Sequence, residues 1–354
     1  VNIPTDTSRP ALTPTDDRLR VGLVGYGGAG RGIHARLLRA AGHVVTVVVT
    51  RSPDRRAQAD ADWPGVRVVD DLDELLDARD AYDLVVLASP TPVHEEQAAA
   101  VLTAGVPLLM DKPIGLTADG AQVLVDLAEA GSVPFTVFQN RRWDPEQLTL
   151  RAVLESGEIG RVHRLERRWE RFRPVPLDRW KENDPDGGGL LLDLGTHLVD
   201  SSVQLFGPVE SVYAELRSLS TPTEDDVFLS IQHAGTGVVS HLWGGSLVGA
   251  PGPRTRVLGS EGAYVVTTFE NDASPFELMD DGAPAGSEGW IARGRERSFV
   301  PRAPGGHGDF YPAVSRWLRE GGPVPVDPRD AVHTARVLDA ARVSAATGAR
   351  CTVD

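Results

Sequence analysis

Leu19-Arg20-Val21-Gly22-Leu23-Val24-Gly25-Tyr26-Gly27-Gly28-Ala29-Gly30 opens on an apolar, β-branched run and turns into glycines. Gly25, Gly27 and Gly30 stand at the spacing G-x-G-x-x-G, with Gly28 and Ala29 in the free places, and Gly32 to Ala41 reads as a helix. In a strand–turn–helix unit the first glycine permits a tight turn, the second lets backbone approach a pyrophosphate, and the third allows close helix–strand packing. The helix N-terminus then offers free N–H groups and the positive end of its dipole to the phosphates. Alone this spacing is weak, because glycine-rich turns are common. Here a strand precedes it, a helix follows, and a second strand, Val44 to Val49, comes at βαβ distance. The stretch is read as a dinucleotide-binding loop.

The tip of the second strand bears on the cofactor. An acidic residue there holds a ribose 2′-OH and selects NAD, whereas an arginine accommodates the 2′-phosphate of NADP. The strand ends in Val49-Thr50-Arg51-Ser52, Arg55 and Arg56 follow, and Asp54 comes only after a proline. NADP is therefore the expected cofactor and NAD the second choice, with Arg51 and Ser52 as phosphate contacts. The plainer reading makes Arg51 a surface charge stacked on adenine. The βα rhythm continues through Val66 to Val69, a helical Leu72 to Asp77, and Asp83 to Ala88, which runs into Ser89-Pro90-Thr91-Pro92-Val93-His94. Doubly wound sheets bind ligands at such strand ends, so Ser89, Thr91 and His94 are candidates for the nicotinamide ribose, although His94 equally suits a helix start. Val106 to Met110 ends in Asp111-Lys112-Pro113, which puts a lysine at the ligand edge of the sheet beside a rigid proline. Val133 to Phe138 reads as a further strand.

Composition sets the bounds. A chain of 354 residues exceeds one comfortable core and implies two domains. Thirty-six basic against 50 acidic residues, a formal charge of −14, argue against a nucleic-acid or anionic-membrane partner. Cys351, the one cysteine, rules out a disulfide framework and a cysteine metal cluster. The apolar runs are strand-sized, too short to span a bilayer. Residues 1–19 lack the apolar core of a signal peptide and read as a flexible leader on a cytoplasmic protein. Residues 20–140 form the doubly wound α/β (Rossmann) domain. Beyond it Val162 to Arg171, Val209 to Leu219, Val227 to Gln232, Val238 to Leu242, Arg254 to Leu258 and Ala263 to Thr267 read as strands joined by turns. Residues 141–325 are thus expected to be an α+β domain with an open, mainly antiparallel β-sheet. Residues 326–354, with a helix from Asp327 to Gly348, would pack back on the body.

A second glycine-led segment, Gly187-Gly188-Gly189-Leu190-Leu191-Leu192-Asp193-Leu194-Gly195-Thr196-His197, reads as a helix entered from a loop. Helical spacing stacks Asp193 and His197 on one face, extended by Asp200 and Gln204, against an apolar stripe of Leu191, Leu194, Leu198 and Leu205. An isolated pair of this kind is as easily a solvated face. A metal reading would need a third convergent ligand, and no compact cluster such as H-E-x-x-H is present, so no metal is expected.

Together the Gly25 loop, Ser89 to His94, Asp111-Lys112-Pro113 and Asp193-x-Gly195-x-His197 resemble the glucose–fructose oxidoreductase and inositol dehydrogenase (Gfo/Idh/MocA) family, and look most like its NADP-dependent scyllo-inositol 2-dehydrogenases. The resemblance implies hydride transfer between the nicotinamide and a secondary alcohol or ketone of a cyclitol or sugar. His197 would serve as proton acceptor, Lys112 as the charge on the reacting oxygen, and Asp193 as their companion on the substrate. Arg141, Trp169, Arg171 and Trp180 are candidates to rim the substrate, or simple packing residues. Family members carry Glu-Lys-Pro where this chain has Asp111-Lys112-Pro113, and a cis Lys112–Pro113 peptide is implied. A homodimer or homotetramer through the second sheet is also implied. Two alternatives stay open at this stage, a reductase of a nucleotide-linked keto-sugar and a non-catalytic dinucleotide or sugar sensor.

Overall fold

The structure, a computed structural model, describes residues 18–267 and 282–354. The leader reading falls largely on residues 1–17, outside the described residues, while Leu19 is fully buried in the first core. Six strands, β1 (Arg20–Val24), β2 (Val44–Val49), β3 (Arg67–Val69), β4 (Leu84–Leu87), β5 (Leu108–Asp111) and β6 (Phe135–Phe138), form one sheet in the order β3-β2-β1-β4-β5-β6. Every neighbouring pair is parallel. Helices cover both faces, which is why β4 and β6 are buried at every position and read as unbroken apolar runs. Strand order reverses between β1 and β4, so the crevice at their C-terminal ends is where a ligand is expected. Gly25 leaves one strand there and Ser89 follows the other.

The second sheet holds β7 (Val162–Glu170), β8 (Val209–Arg217), β9 (Asp226–His233), β10 (Val239–Gly245), β11 (Thr255–Gly259), β12 (Ala263–Val266), β13 (Ser287–Arg293), β14 (Glu296–Pro301) and β15 (Cys351–Thr352). Its order is β14-β13-β12-β11-β7-β10-β9-β8-β15, and β7–β10 is the one parallel pair in an otherwise antiparallel ladder. Alternation along β9 and β10 sends Leu229, Ile231 and Leu242 inward onto helices, while Phe228, His241 and Trp243 stand on the outer face. Strands β13 and β14 lie beyond those read from sequence. They carry Arg293, Arg295, Glu296 and Arg297 around a two-residue turn, and this charge hides the alternation.

The helix Pro328–Thr347 starts where Asp327 accepts the Arg329 N–H at 2.9 Å and stops at Gly348 with φ +68°, the proline-in, glycine-out arrangement of a helix with defined ends. Ala331, Val332 and Ala335 on this helix pack into the first core, and Val337, Leu338 and Ala341 into the second. An ion cluster ties it further. Arg142 reaches Asp200 through two hydrogen bonds of 2.6 and 3.0 Å and Asp330 at 2.9 Å. Asp200 is 2% exposed, so it belongs to this cluster and does not extend the polar face of Asp193 and His197 as its spacing suggested. Removing Arg142 strands a buried carboxylate. Arg142→Met is expected to lower the unfolding free energy in urea by about 3–5 kcal/mol. Arg329→Ala, whose partners Glu129 and Asp327 are exposed, should change it by less than about 1 kcal/mol.

Candidate active site

The glycine loop is shaped by close approach. A Cβ on Gly30 would sit 2.0 Å from the Gly25 carbonyl oxygen, and Gly25 itself has φ +88° with the Ala88 oxygen 2.7 Å from any Cβ. Gly28, by contrast, faces open space, and Gly27 has only the Arg55 guanidinium near it, at 3.6 Å. The cradle is therefore tight where the backbone must fold and empty where a pyrophosphate would rest, which fits a dinucleotide. The following helix begins as a π turn, Gly30–Ala35, before the α-helical Arg36–Ala40.

The outer cleft is lined by Gly27, Gly28, Ser52, Arg55 and Gln58. Ser52 takes its expected place and also caps its helix by accepting the Arg55 N–H. Arg51 is exposed and does not line the cleft, whereas Arg55, in the first turn of the helix, does. Arg56 is committed to Asp70 and the Val68 carbonyl.

The inner cleft brings Ala29, Ser89, Thr91, His94 and Lys112 together with Asp193 and Trp180. His94 is buried, with Nε2 2.6 Å from the Ser89 carbonyl and Nδ1 3.3 Å from that of Pro113, and burial pulls its pKa below the usual histidine value. It thus ties the end of β4 to the cis Lys112–Pro113 peptide. Asp111 accepts the Lys112 backbone N–H at 2.8 Å and lies 3.6 Å from His34, whose other nitrogen meets Tyr311 at 2.7 Å. The shorter side chain in place of the family's glutamate thus stays bound to its own loop.

Lys112 leaves β5 and crosses to the other half of the molecule. Its Nζ donates to the Asp193 backbone carbonyl at 2.6 Å and to Asp193 Oδ1 at 3.1 Å. Burial lowers the Lys112 pKa and Asp193 opposes that shift; the two flanking lysines hold Asp193 far below the usual carboxylate range against its burial. The second of these is Lys181, 2.5 Å from the same Oδ1. Sequence reading passed Lys181 over, yet a signal was there. Lys112 and Lys181 are the only lysines in the 354 residues, all other basic side chains being arginine.

Asp193 and His197 stand four positions apart where their helix begins. Leu191–Gly195 winds as a π turn before the α-helix Thr196–Phe206, and the two side chains enter adjoining cavities. No hydrogen bond joins His197 to Asp193 or Lys112 among the described residues, and His197 Nδ1 is unpartnered. Its ring stacks on Trp169 at 5.7 Å. Burial, then the Lys112 and Arg141 charges, push its pKa well below the usual value, so the imidazole is neutral at pH 7. Glycines prepare this entry. Gly189, at φ +88°, leaves no room for a Cβ beside Glu224, whose carboxylate accepts the Leu191 N–H at 3.0 Å.

Of the candidates to rim the substrate, Arg141 and Trp169 line the His197 cavity, the guanidinium 4.7 Å from the indole centroid. Arg171 contacts the same indole at 5.6 Å but borders a separate depression with Lys181 and Asp193, and Trp180 lies by Lys112 instead of His197. Asp144, held by Arg141 and His307, and the buried trio Glu146, Arg167 and Arg254 complete the His197 cavity. Sequence reading missed all four, since charged residues scattered over a helix start and two strands look solvated until the sheet closes over them. Among the described residues no three His, Cys, Asp or Glu side chains converge as a metal set, and no helix is long and apolar enough to cross a membrane.

Residues 19–139 match the oxidoreductase family with an NAD-binding Rossmann fold, and residues 147–265 match the GFO/IDH/MocA C-terminal domain. The chain is 27% identical over 345 residues to the scyllo-inositol 2-dehydrogenase (NADP+) IolW of Bacillus subtilis, covering 93% of this chain and 94% of that one. It is 32% identical over 337 residues to the uncharacterized oxidoreductase YdgJ of Escherichia coli, with 91% and 95% covered. The solved structure of the Bacillus subtilis yvaA protein superposes with a TM-score of 0.84 at 26% identity over 96% of this chain and 99% of that chain. With a dinucleotide cradle, a strand-end lysine and a buried histidine already in place, these matches establish that the chain belongs to the GFO/IDH/MocA family of NAD-binding oxidoreductases.

Proposed function

We propose that this oxidoreductase interconverts a secondary alcohol and a ketone on a cyclitol or sugar, preferring NADP. The observation that carries the reading is the arrangement of Lys112, anchored twice by Asp193, close to an unpartnered neutral His197. The Gly25–Gly30 loop, Ser89 and Thr91 would hold the cofactor, which when bound supplies the hydride acceptor or donor. An ammonium has three N–H groups; Lys112 spends two on Asp193 and has one for the reacting oxygen, favouring the alkoxide form. A neutral imidazole takes the hydroxyl proton. In the reverse direction protonated His197 returns that proton to the ketone oxygen while Lys112 keeps its charge and hydrogen bond on it. The 27% identity to a scyllo-inositol 2-dehydrogenase (NADP+) supports a polyol substrate and the NADP preference.

For the cofactor, the support within the chain is Arg55 with Ser52 beside Gly27. Arg55→Ala is expected to lower kcat/KM for NADPH by about tenfold or more, the cost of one charge-assisted contact, and to leave NADH within about threefold. Steady-state kinetics with both cofactors on a panel of inososes and keto-sugars checks this, and a wild-type preference for NADH would overturn the assignment.

For the base, His197→Ala should cut kcat/KM for polyol oxidation by about a hundredfold or more. Because the base acts in its neutral form and its pKa is held low, wild-type kcat/KM should stay level as pH falls through about 6.5 and decline only below it. Turnover that survives His197→Ala would remove the assigned base.

A second copy of this chain is proposed on the outer face of the second sheet, where Phe228 and Trp243 lie 5.2 Å apart and Arg168 sits 4.1 Å over Trp243. Light scattering should give a dimer or tetramer, and Trp243→Glu should shift it towards monomer.

A further inference from the structure

Both lysines of the chain meet at one oxygen. Lys181 Nζ lies 2.5 Å from Asp193 Oδ1 and Lys112 Nζ 3.1 Å from it. Everywhere else the chain uses arginine for positive charge, including the buried pairs with Asp200 and Glu146. A guanidinium is a broad planar fork, whereas an ammonium is a compact charge with three rotatable donors. Here two ammonium groups converge on one carboxylate oxygen, each with further N–H groups to direct elsewhere.

The backbone holds Lys181 in place for this contact. Its carbonyl accepts the Gly189 N–H at 2.8 Å and the Thr223 hydroxyl at 3.3 Å. A Cβ on Gly188 would come within 2.7 Å of the same carbonyl oxygen. The glycine run that precedes Asp193 thus also packs against the short helix Trp180–Asn183 that carries Lys181.

We propose that Lys181 is a positioning residue of the hydride-transfer site, holding the Asp193 oxygen that Lys112 also binds so that Lys112 keeps one N–H directed at the substrate oxygen. The proposal rests on the polyol oxidoreductase reading for its substrate, and on the geometry alone for the coupling of the two lysines. With Lys181 on Oδ1 at the shorter distance, the side-chain bond to Lys112 is the longer one, and the Asp193 backbone carbonyl is the firmer anchor of Lys112. Without Lys181 the carboxylate would turn wholly to Lys112 and satisfy the N–H meant for substrate.

The charges facing Lys112 come from Asp111 on its own strand, His94 on the helix before that strand, Asp193 and His197 on the π-entered helix, and Lys181. Of these, Lys181 lowers the Lys112 pKa while Asp193 and Asp111 raise it. Loss of the Lys181 charge must therefore move the Lys112 titration to higher pH, and retention of the charge as arginine must hold it down.

The test uses the whole chain without cofactor, labelled with 13C at lysine Cε. Two side-chain signals are expected from wild type; in Lys181→Met and Lys181→Arg the single signal left is Lys112. Lys112 should titrate at least about half a pH unit higher in Lys181→Met than in wild type, with Lys181→Arg near wild type. In parallel, NADP+ reduction with scyllo-inositol should show kcat/KM lowered about tenfold or more in Lys181→Met and partly recovered in Lys181→Arg. A Lys112 titration unchanged in Lys181→Met, or shifted equally in both variants, overturns the proposal. So does kcat/KM in Lys181→Met within about threefold of wild type. Absence of turnover in wild type on any polyol would instead overturn the substrate reading, while the titration, recorded on the chain alone, still decides the role of Lys181.

Discussion

The carboxylate of Asp193 joins the two halves of the molecule at the place where chemistry is expected. A buried carboxylate is tolerated only when its charge is matched, and the match here comes from Lys112 on the first sheet and Lys181 in the second half. The consequence is geometric as much as electrostatic. Lys112 cannot swing out into the cleft without leaving Asp193 short of a partner, so its ammonium is set in position before any substrate arrives. Preorganisation of this kind is what a charge-stabilising site needs, because the donor does not have to be reoriented during the reaction.

Two π turns shape the same region. One opens the helix after the glycine loop and the other opens the helix bearing His197. The second carries Asp193 and leads into the α-helix that carries His197. Asp193 is turned to the lysines and His197 to the cavity floored by Trp169. Among the described residues the two groups do not form a hydrogen-bonded dyad. The Asp193 charge still raises the imidazole pKa, but burial and the Lys112 and Arg141 charges outweigh it.

Much of the first sheet was legible because its strands are buried on both faces and their glycines obey a steric rule; Val44–Val49 emerged at its full length. The second sheet was legible wherever one face is apolar, and lost at β13 and β14, where arginines crowd the turn. Within the site, Lys112 stood out because a proline follows a buried strand. Arg51 sits exposed at the strand tip, and sequence spacing could not show that the helix after it brings Arg55 back over Gly27. The spacing of Asp193 and His197 was legible, but not that two lysines would hold the carboxylate while the imidazole stacks on Trp169. Asp200 looked like part of a functional face, since sequence spacing cannot reveal that Arg142 waits 58 positions away.

The helix Pro328–Thr347 and the residues before it have one more effect. Phe310, Tyr311, Val314, Val326, Ala331, Val332 and Ala335 all belong to the core of the first sheet, although the entire second sheet except β15 separates them from it along the chain. The dinucleotide-binding half is thus discontinuous. Emerging from the ribosome, residues 20–140 would display an apolar surface whose cover is still unmade, and that surface stays exposed until more than 150 further residues have been synthesised. Such a chain must either fold late or be shielded while it waits. The same connectivity makes the first half a poor candidate for separate expression, because a cut between the halves strips its core of the residues from Phe310 to Ala335.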